Sequence, residues 1–235
     1  MANGISRERT VPMPIEIGML LFPDLTQLDL TGPFEMLHRV PDTSVHLLWK
    51  DTRPVRATSG LTLYPTTSLA DSPALDVLFV PGGFGQAPLA RDEEILRFLR
   101  AQGARARYVT SVCTGALLLG AAGLLDGYEA TTHWAYVDRL KSFGARYRPG
   151  RVVVDRNRIT GGGVTAGIDF GLRLAAELAG ENVARSIQLG LEYNPAPPYD
   201  CGHPDNADPA MVAMIRQRLA AREAEFANAK RSSPR

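Results

Sequence analysis

Apolar residues in this chain arrive in short continuous runs, and between the runs they recur at helical spacing. That rhythm belongs to strands buried on both faces alternating with helices that cover them. Ile15 to Phe22 is the first run, and Pro23 closes it. Val45 to Trp49 and Leu75 to Val80 repeat the pattern, and Tyr108, Val109 and Val112 supply a fourth strand. Glu93 to Gln102 sets Ile95, Leu96 and Leu99 on one helical face. After Pro23, Leu28, Phe34 and Leu37 keep a rough helical period, with Gly32-Pro33 expected to kink or restart that helix. Val55 to Tyr64, turning at Ser59-Gly60, reads as a small hairpin.

Beyond residue 113 the pattern predicts a compact helix over Gly115 to Ala122, a short strand over Ala130 to Thr132 and a helix over Trp134 to Phe143. A strand pair follows at Arg151 to Asp155 and Arg158 to Thr160, stopped by Gly161-Gly162-Gly163. Ile168 to Leu178, Val183 to Leu191 and Met211 to Asn228 are helical, while recurrent prolines between Asn194 and Pro209 exclude regular structure there. Strands and helices in this alternation predict an α/β fold, a mostly parallel sheet with helices on both faces. One domain is expected over residues 14–228, between a loose leader at 1–13 and a frayed end at 229–235.

Composition narrows the partners. The 235 residues carry 26 Lys and Arg against 25 Asp and Glu, a formal net charge of +1, so no basic footprint argues for nucleic acid. No apolar run approaches the length that crosses a bilayer, and the charged, proline-containing start lacks the apolar core of a signal peptide. A small uncharged molecule is the expected partner and the cytoplasm the expected location. Cys113 and Cys201 lie in unlike contexts, so a disulfide framework is not expected.

The chemistry gathers where strands end. Cys113 sits at a sharp strand-to-helix junction, with free backbone N–H groups and a partial positive charge behind it, features that favour a thiolate. The same residue also reads as a buried structural cysteine. Asp29 follows the first strand, Gly82 and Gly83 follow the strand ending at Val80, and Thr114 adjoins the cysteine. In a doubly wound sheet all of them meet at one edge. A thiol beside a carboxyl group, with the Gly82-Gly83 and Thr114 amides as oxyanion donors, is a constellation for covalent attack on an electrophilic carbon. Asp29 also reads as a helix cap and Thr114 as an ordinary helix start. His133 is a second candidate, as a base toward Cys113 or as a packed residue before a helix. His38, His46 and His203 show no ligand spacing, so neither a metal nor a cofactor is expected. Cys201, with no helix behind it, reads as incidental.

SVCTG at 111–115, PGG at 81–83 and TTHW at 131–134 resemble the ThiJ/PfpI superfamily, and the likeness runs from about Ile15 to about Leu191. Within it, QLDLTGPFEML at 27–37, TGGGVTAGIDFGL at 160–172 and LEYNPAPPYD at 191–200 are similar to the isocyanide hydratase branch. The resemblance implies a flavodoxin-like sheet, Cys113 as nucleophile, Asp29 as the acid/base carboxylate and Thr114 as their neighbour. The implied reaction hydrates an isocyanide to a formamide through a thioimidate, with no cofactor. It also implies a homodimer contact near Gly161 to Gly167. Thr114 stands where the peptidase-like branch has a histidine, which argues against proteolysis. Transcription regulators of the wider family need a helix-turn-helix domain, and about forty residues after Pro195 are too few for one. The alternative from another class is a redox sensor in which Cys113 is reversibly oxidised.

Overall fold

The computed structural model describes residues 14–229; the leader expected at 1–13, and residues 230–235 of the expected frayed end, lie outside the described residues. The first half alternates strand and helix: β1 (Ile15–Leu20), α1 (Gln27–Leu37), β2 (Thr43–Trp49), a hairpin of β3 (Val55–Arg56) and β4 (Thr62–Leu63), then β5 (Thr67–Ser68) and β6 (Val77–Val80). Two helices, α2 (Gln86–Leu89) and α3 (Glu93–Gly103), lead to β7 (Tyr108–Val112), which turns into α4 (Gly115–Ala121). The second half comprises β8 (Glu129–Ala130), a 3₁₀ turn at Trp134–Tyr136, α5 (Val137–Lys141), β9 (Arg146–Tyr147), β10 (Val152–Asp155), β11 (Arg158–Gly161), α6 (Ala166–Ala179), α7 (Glu181–Gly190) and α8 (Pro209–Ala229).

Seven strands form one sheet in the order β10-β11-β7-β6-β1-β2-β5, parallel except where β10 pairs antiparallel with β11. The direction of winding decides where a site can form. From β1 the chain moves outward one way to β2, and from β6 it moves the other way to β7. Right-handed crossovers therefore put α1 and α3 on opposite faces and open a crevice at the carboxyl ends of β1 and β6. α1, α6 and α7 pack together on one side, while α3 contacts β6 and α4 contacts both β6 and β7. Phe22, Phe79, Phe170, Ile17 and Leu78 are fully buried between these layers.

Two expectations change. Of the kink or restart expected at Gly32-Pro33, the restart does not occur: α1 runs unbroken through Pro33 while packed on α6, with Gly167 admitting the proline ring. The helix expected over 134–143 is instead a 3₁₀ turn followed by the five-residue α5. Among the described residues no helix is long and apolar enough to cross a membrane.

Candidate active site

Cys113 closes β7 with a φ of 57°, left-handed backbone that costs a non-glycine residue roughly 1–3 kcal/mol. Three hydrogen bonds hold it there. Its N–H donates to the carbonyls of Gly161 and Gly162 at 3.1 and 2.8 Å, and its own carbonyl accepts from Thr132 Oγ1 at 2.8 Å. The helix behind it starts at Gly115 because a Cβ at that position would lie 2.1 Å from the Val80 carbonyl oxygen. The bend therefore depends on close backbone approach between α4 and β6.

Asp29 is fully buried in the first turn of α1. It does not cap its helix. Its Oδ2 accepts instead from the Gly82 N–H at 3.0 Å, while Oδ1 meets no hydrogen-bond donor among the described residues. A Cβ on residue 82 would sit 2.6 Å from Asp29 Oδ2 and 2.6 Å from the Thr114 nitrogen, so only glycine lets carboxylate and elbow meet. The Gly83 N–H donates to Thr114 Oγ1 at 3.0 Å. Both glycine amides are thus committed, which corrects the expectation that they stand free as oxyanion donors. They anchor Asp29 and Thr114 instead.

Burial pushes the Asp29 carboxyl from 3.8 up to about 7, and its interactions with the Cys113 thiol and the Gly82 N–H return only part of the shift. Burial also pushes the Cys113 thiol well above its ordinary value; the negative charge on Asp29 adds to that rise, against the opposing pull of the Thr114 N–H and hydroxyl. The expectation that the elbow alone favours a thiolate is therefore corrected for the resting protein, where desolvation outweighs the helix start. Two coupled acids share this space, and above about pH 7 they hold one proton between them.

His133 is half-buried and its pKa is pushed down to about 4 by burial. Its Nδ1 accepts the Ala135 N–H at 3.3 Å, leaving the neutral ring a donor at Nε2. It borders the site but in this state offers Cys113 no basic nitrogen.

The Cys113 side chain opens into a cavity of about 90 Å³, bordered by Thr26, Gly83, Thr114 and His133 and also by Phe84, Gln86, Tyr136, Val164, Leu219 and Glu223. Sequence reasoning missed Thr26, Phe84, Gln86, Tyr136, Val164, Leu219 and Glu223. Gln86 sits one residue past the glycine loop, a position that could have drawn notice; Leu219 and Glu223 arrive on α8, with no local signal. α8 is held by Phe226 stacked on Phe84, ring centroids 5.4 Å apart, and by an Arg139–Glu223 ion pair. Burial, then the charges of Glu223 and Cys113, push the Tyr136 phenol up to about 12, so it remains a donor. Cys201 is free and exposed, apart from this constellation.

Comparison with known proteins places this geometry. The isonitrile hydratase of Pseudomonas putida is 58% identical over 208 residues, covering 88% of this chain and 91% of that one. The HTH-type transcriptional regulator GbdR of Pseudomonas aeruginosa is 33% identical over 189 residues, which span 77% of this chain but 51% of the regulator. The crystal structure of a ThiJ/PfpI family protein from Pseudomonas syringae shares 44% identity with a TM-score of 0.86, covering 97% of this chain and 96% of that one. The DJ-1/PfpI family model matches residues 16–177, from β1 through the elbow into α6, and the chain belongs to that family.

Proposed function

We propose that this protein hydrates isocyanides to N-substituted formamides through a thioimidate on Cys113. The observation that carries the reading is a buried carboxyl, its pKa raised to about 7, packed beside a cysteine whose strained bend borders a small cavity. The named activity of the Pseudomonas putida relative supports it.

The steps follow from one shared proton. Asp29 takes the thiol proton, the Cys113 sulfur bonds to the terminal carbon of R–NC, and the Asp29 carboxylic acid returns the proton to that carbon, giving R–N=CH–S–Cys. Water then adds to the same carbon. One of its protons passes through the Asp29 carboxylate to the nitrogen, giving R–NH–CH(OH)–S–Cys. The C–S bond breaks, the hydroxyl proton returns to sulfur through the carboxylate, and R–NH–CHO leaves. Thr114, anchored by the Gly83 amide, fixes the bend and directs its N–H toward the sulfur. The sensing alternative has less support, because reversible oxidation favours an exposed thiolate and this thiol is buried with a raised pKa.

The expected test result is formamide production with loss of the infrared N≡C stretch, abolished by Cys113→Ala. The profile of kcat/KM should rise through about pH 7, where Asp29 gives up the second proton of the pair. Asp29→Asn should remove that limb and lower the rate by about 10²–10⁴-fold, the ordinary contribution of a positioned acid/base. No turnover of alkyl and aryl isocyanides would overturn the reading.

The proposal extends to a closed two-fold homodimer through the face around Gly161 to Gly167 and to a cytoplasmic location, a reducing compartment in which two free thiols persist.

A further inference from the structure

The Gln86 side chain stands out among the groups around the cavity. It opens α2, directly after the glycine loop that anchors Asp29 and Thr114, and only 2% of the residue is exposed. Its backbone N–H is used, donating to the Gly83 carbonyl at 3.2 Å. Gln86 borders the cavity that holds Cys113, and its buried carboxamide Oε1 meets no donor among the described residues. A buried acceptor left unpaired costs about 1–3 kcal/mol, so its retention at a site calls for a ligand donor.

The isocyanide cannot supply that donor. R–NC carries no N–H or O–H at its reacting end, so its binding leaves Oε1 unpaired. The situation changes after the first step, because water addition to the thioimidate puts a proton on nitrogen. We infer that Gln86 is a further catalytic residue, whose side-chain oxygen accepts a hydrogen bond from the N–H that forms as the thioimidate is hydrated. The assignment rests on the hydratase reading of the same site. Such a contact is absent for the substrate and present from the hydration transition state onward, so it accelerates the second step and leaves the first untouched. Being neutral, the carboxamide accepts this hydrogen bond without competing for the proton that Asp29 carries.

The discriminating variant is Gln86→Met, close in size and without the acceptor. In the intact protein with an alkyl isocyanide, Cys113 should still form the adduct while kcat falls by roughly 10²-fold, the scale of losing one positioned transition-state hydrogen bond. Mass spectrometry should then find the variant carrying one isocyanide mass during turnover, where the parent protein carries little. The N-alkylformamide product should bind the variant about tenfold more weakly, the loss of roughly one net hydrogen bond, and the melting temperature should hold or rise. Unchanged kcat with no accumulated adduct, or a lowered melting temperature showing that the oxygen serves the fold, would overturn the role of Gln86. Failure of the parent protein to turn over any isocyanide would overturn the hydratase reading itself.

Discussion

At the scale of single residues, the site is governed by desolvation. Asp29 is an acid that the fold keeps out of water, and its raised pKa is a stability statement as well as a catalytic one. The unfolded carboxyl titrates near 3.8 and the folded one near 7, so between those values the folded state holds a proton the unfolded state has lost. The resulting cost is absent below about pH 4, grows as pH rises, and is complete above 7, where the shift corresponds to roughly 4 kcal/mol. The Cys113 thiol adds nothing in this window, because its unfolded form loses its proton only at higher pH. Asp29→Asn keeps an acceptor for the Gly82 N–H and removes the charge. Urea titrations should therefore find the variant more stable than the parent at pH 8 by up to a few kcal/mol, with the gain gone at pH 4. An equal or lower stability at pH 8 would show that the carboxyl is not desolvated as described. The residue types were legible in the sequence: a lone cysteine between a strand and a glycine-rich helix, an aspartate after the first strand. Their environment was not. Helix-start arguments pointed Cys113 toward a thiolate, and only the folded packing shows that burial and the Asp29 charge reverse that direction.

At the scale of elements, local pattern succeeded where an element carries its own signal. α3 follows from Ile95, Leu96 and Leu99 at helical spacing, with the Asp92 side chain capping it by accepting from the Glu94 and Ile95 N–H groups. Pro33 suggested a restart of the helix, while α1 continues through it because packing of α1 on α6 offsets the lost hydrogen bond. α2 is four residues long and β5 two, too short for any periodicity to register. α8 was legible as a helix but not as a wall of the site. Its inner stripe, Val212, Ile215, Leu219, Glu223 and Phe226, only half buries itself, which makes docking of this helix shallow. Leu219→Ala combined with Phe226→Ala should loosen it by roughly 1–2 kcal/mol, raising the open population about tenfold. Alkylation by iodoacetamide at pH 8 reads this directly. Exposed Cys201 serves as the internal standard, and Cys113 should react about tenfold faster in the double variant than in the parent. Equal rates at Cys113 would mean that α8 does not screen the thiol.

At the scale of the whole molecule, the order of apolar runs was enough to derive a parallel sheet covered on both faces; the reversal of winding is seen in the strand order β10-β11-β7-β6-β1-β2-β5, and it is what brings Asp29 and Cys113 together from opposite sides. The proposed two-fold contact has no such local rule, yet the surface carries a physical argument for it. Of the large apolar side chains exposed among the described residues, Leu189, Tyr199, Met211 and Met214 fall in the one stretch of chain from the end of α7 to the start of α8. That stretch approaches the glycine turn: Gly202 and His203 share with Gly162, Gly163 and Thr165 a cavity of about 300 Å³. A run of chain rich in exposed apolar side chains that passes beside a small-residue turn is the kind of surface that the proposed second copy would cover. Because a two-fold contact is self-complementary, each residue in the patch acts twice, and a charge placed there is buried and repelled in both subunits at once. Sedimentation velocity of the parent protein should give a particle of twice the 25.5 kDa chain mass. Met211→Glu combined with Met214→Glu should shift it to the single-chain mass at micromolar concentration, while far-UV circular dichroism stays unchanged. A parent protein that sediments as one chain would remove the dimer, and a double variant that remains dimeric would move the contact to another face.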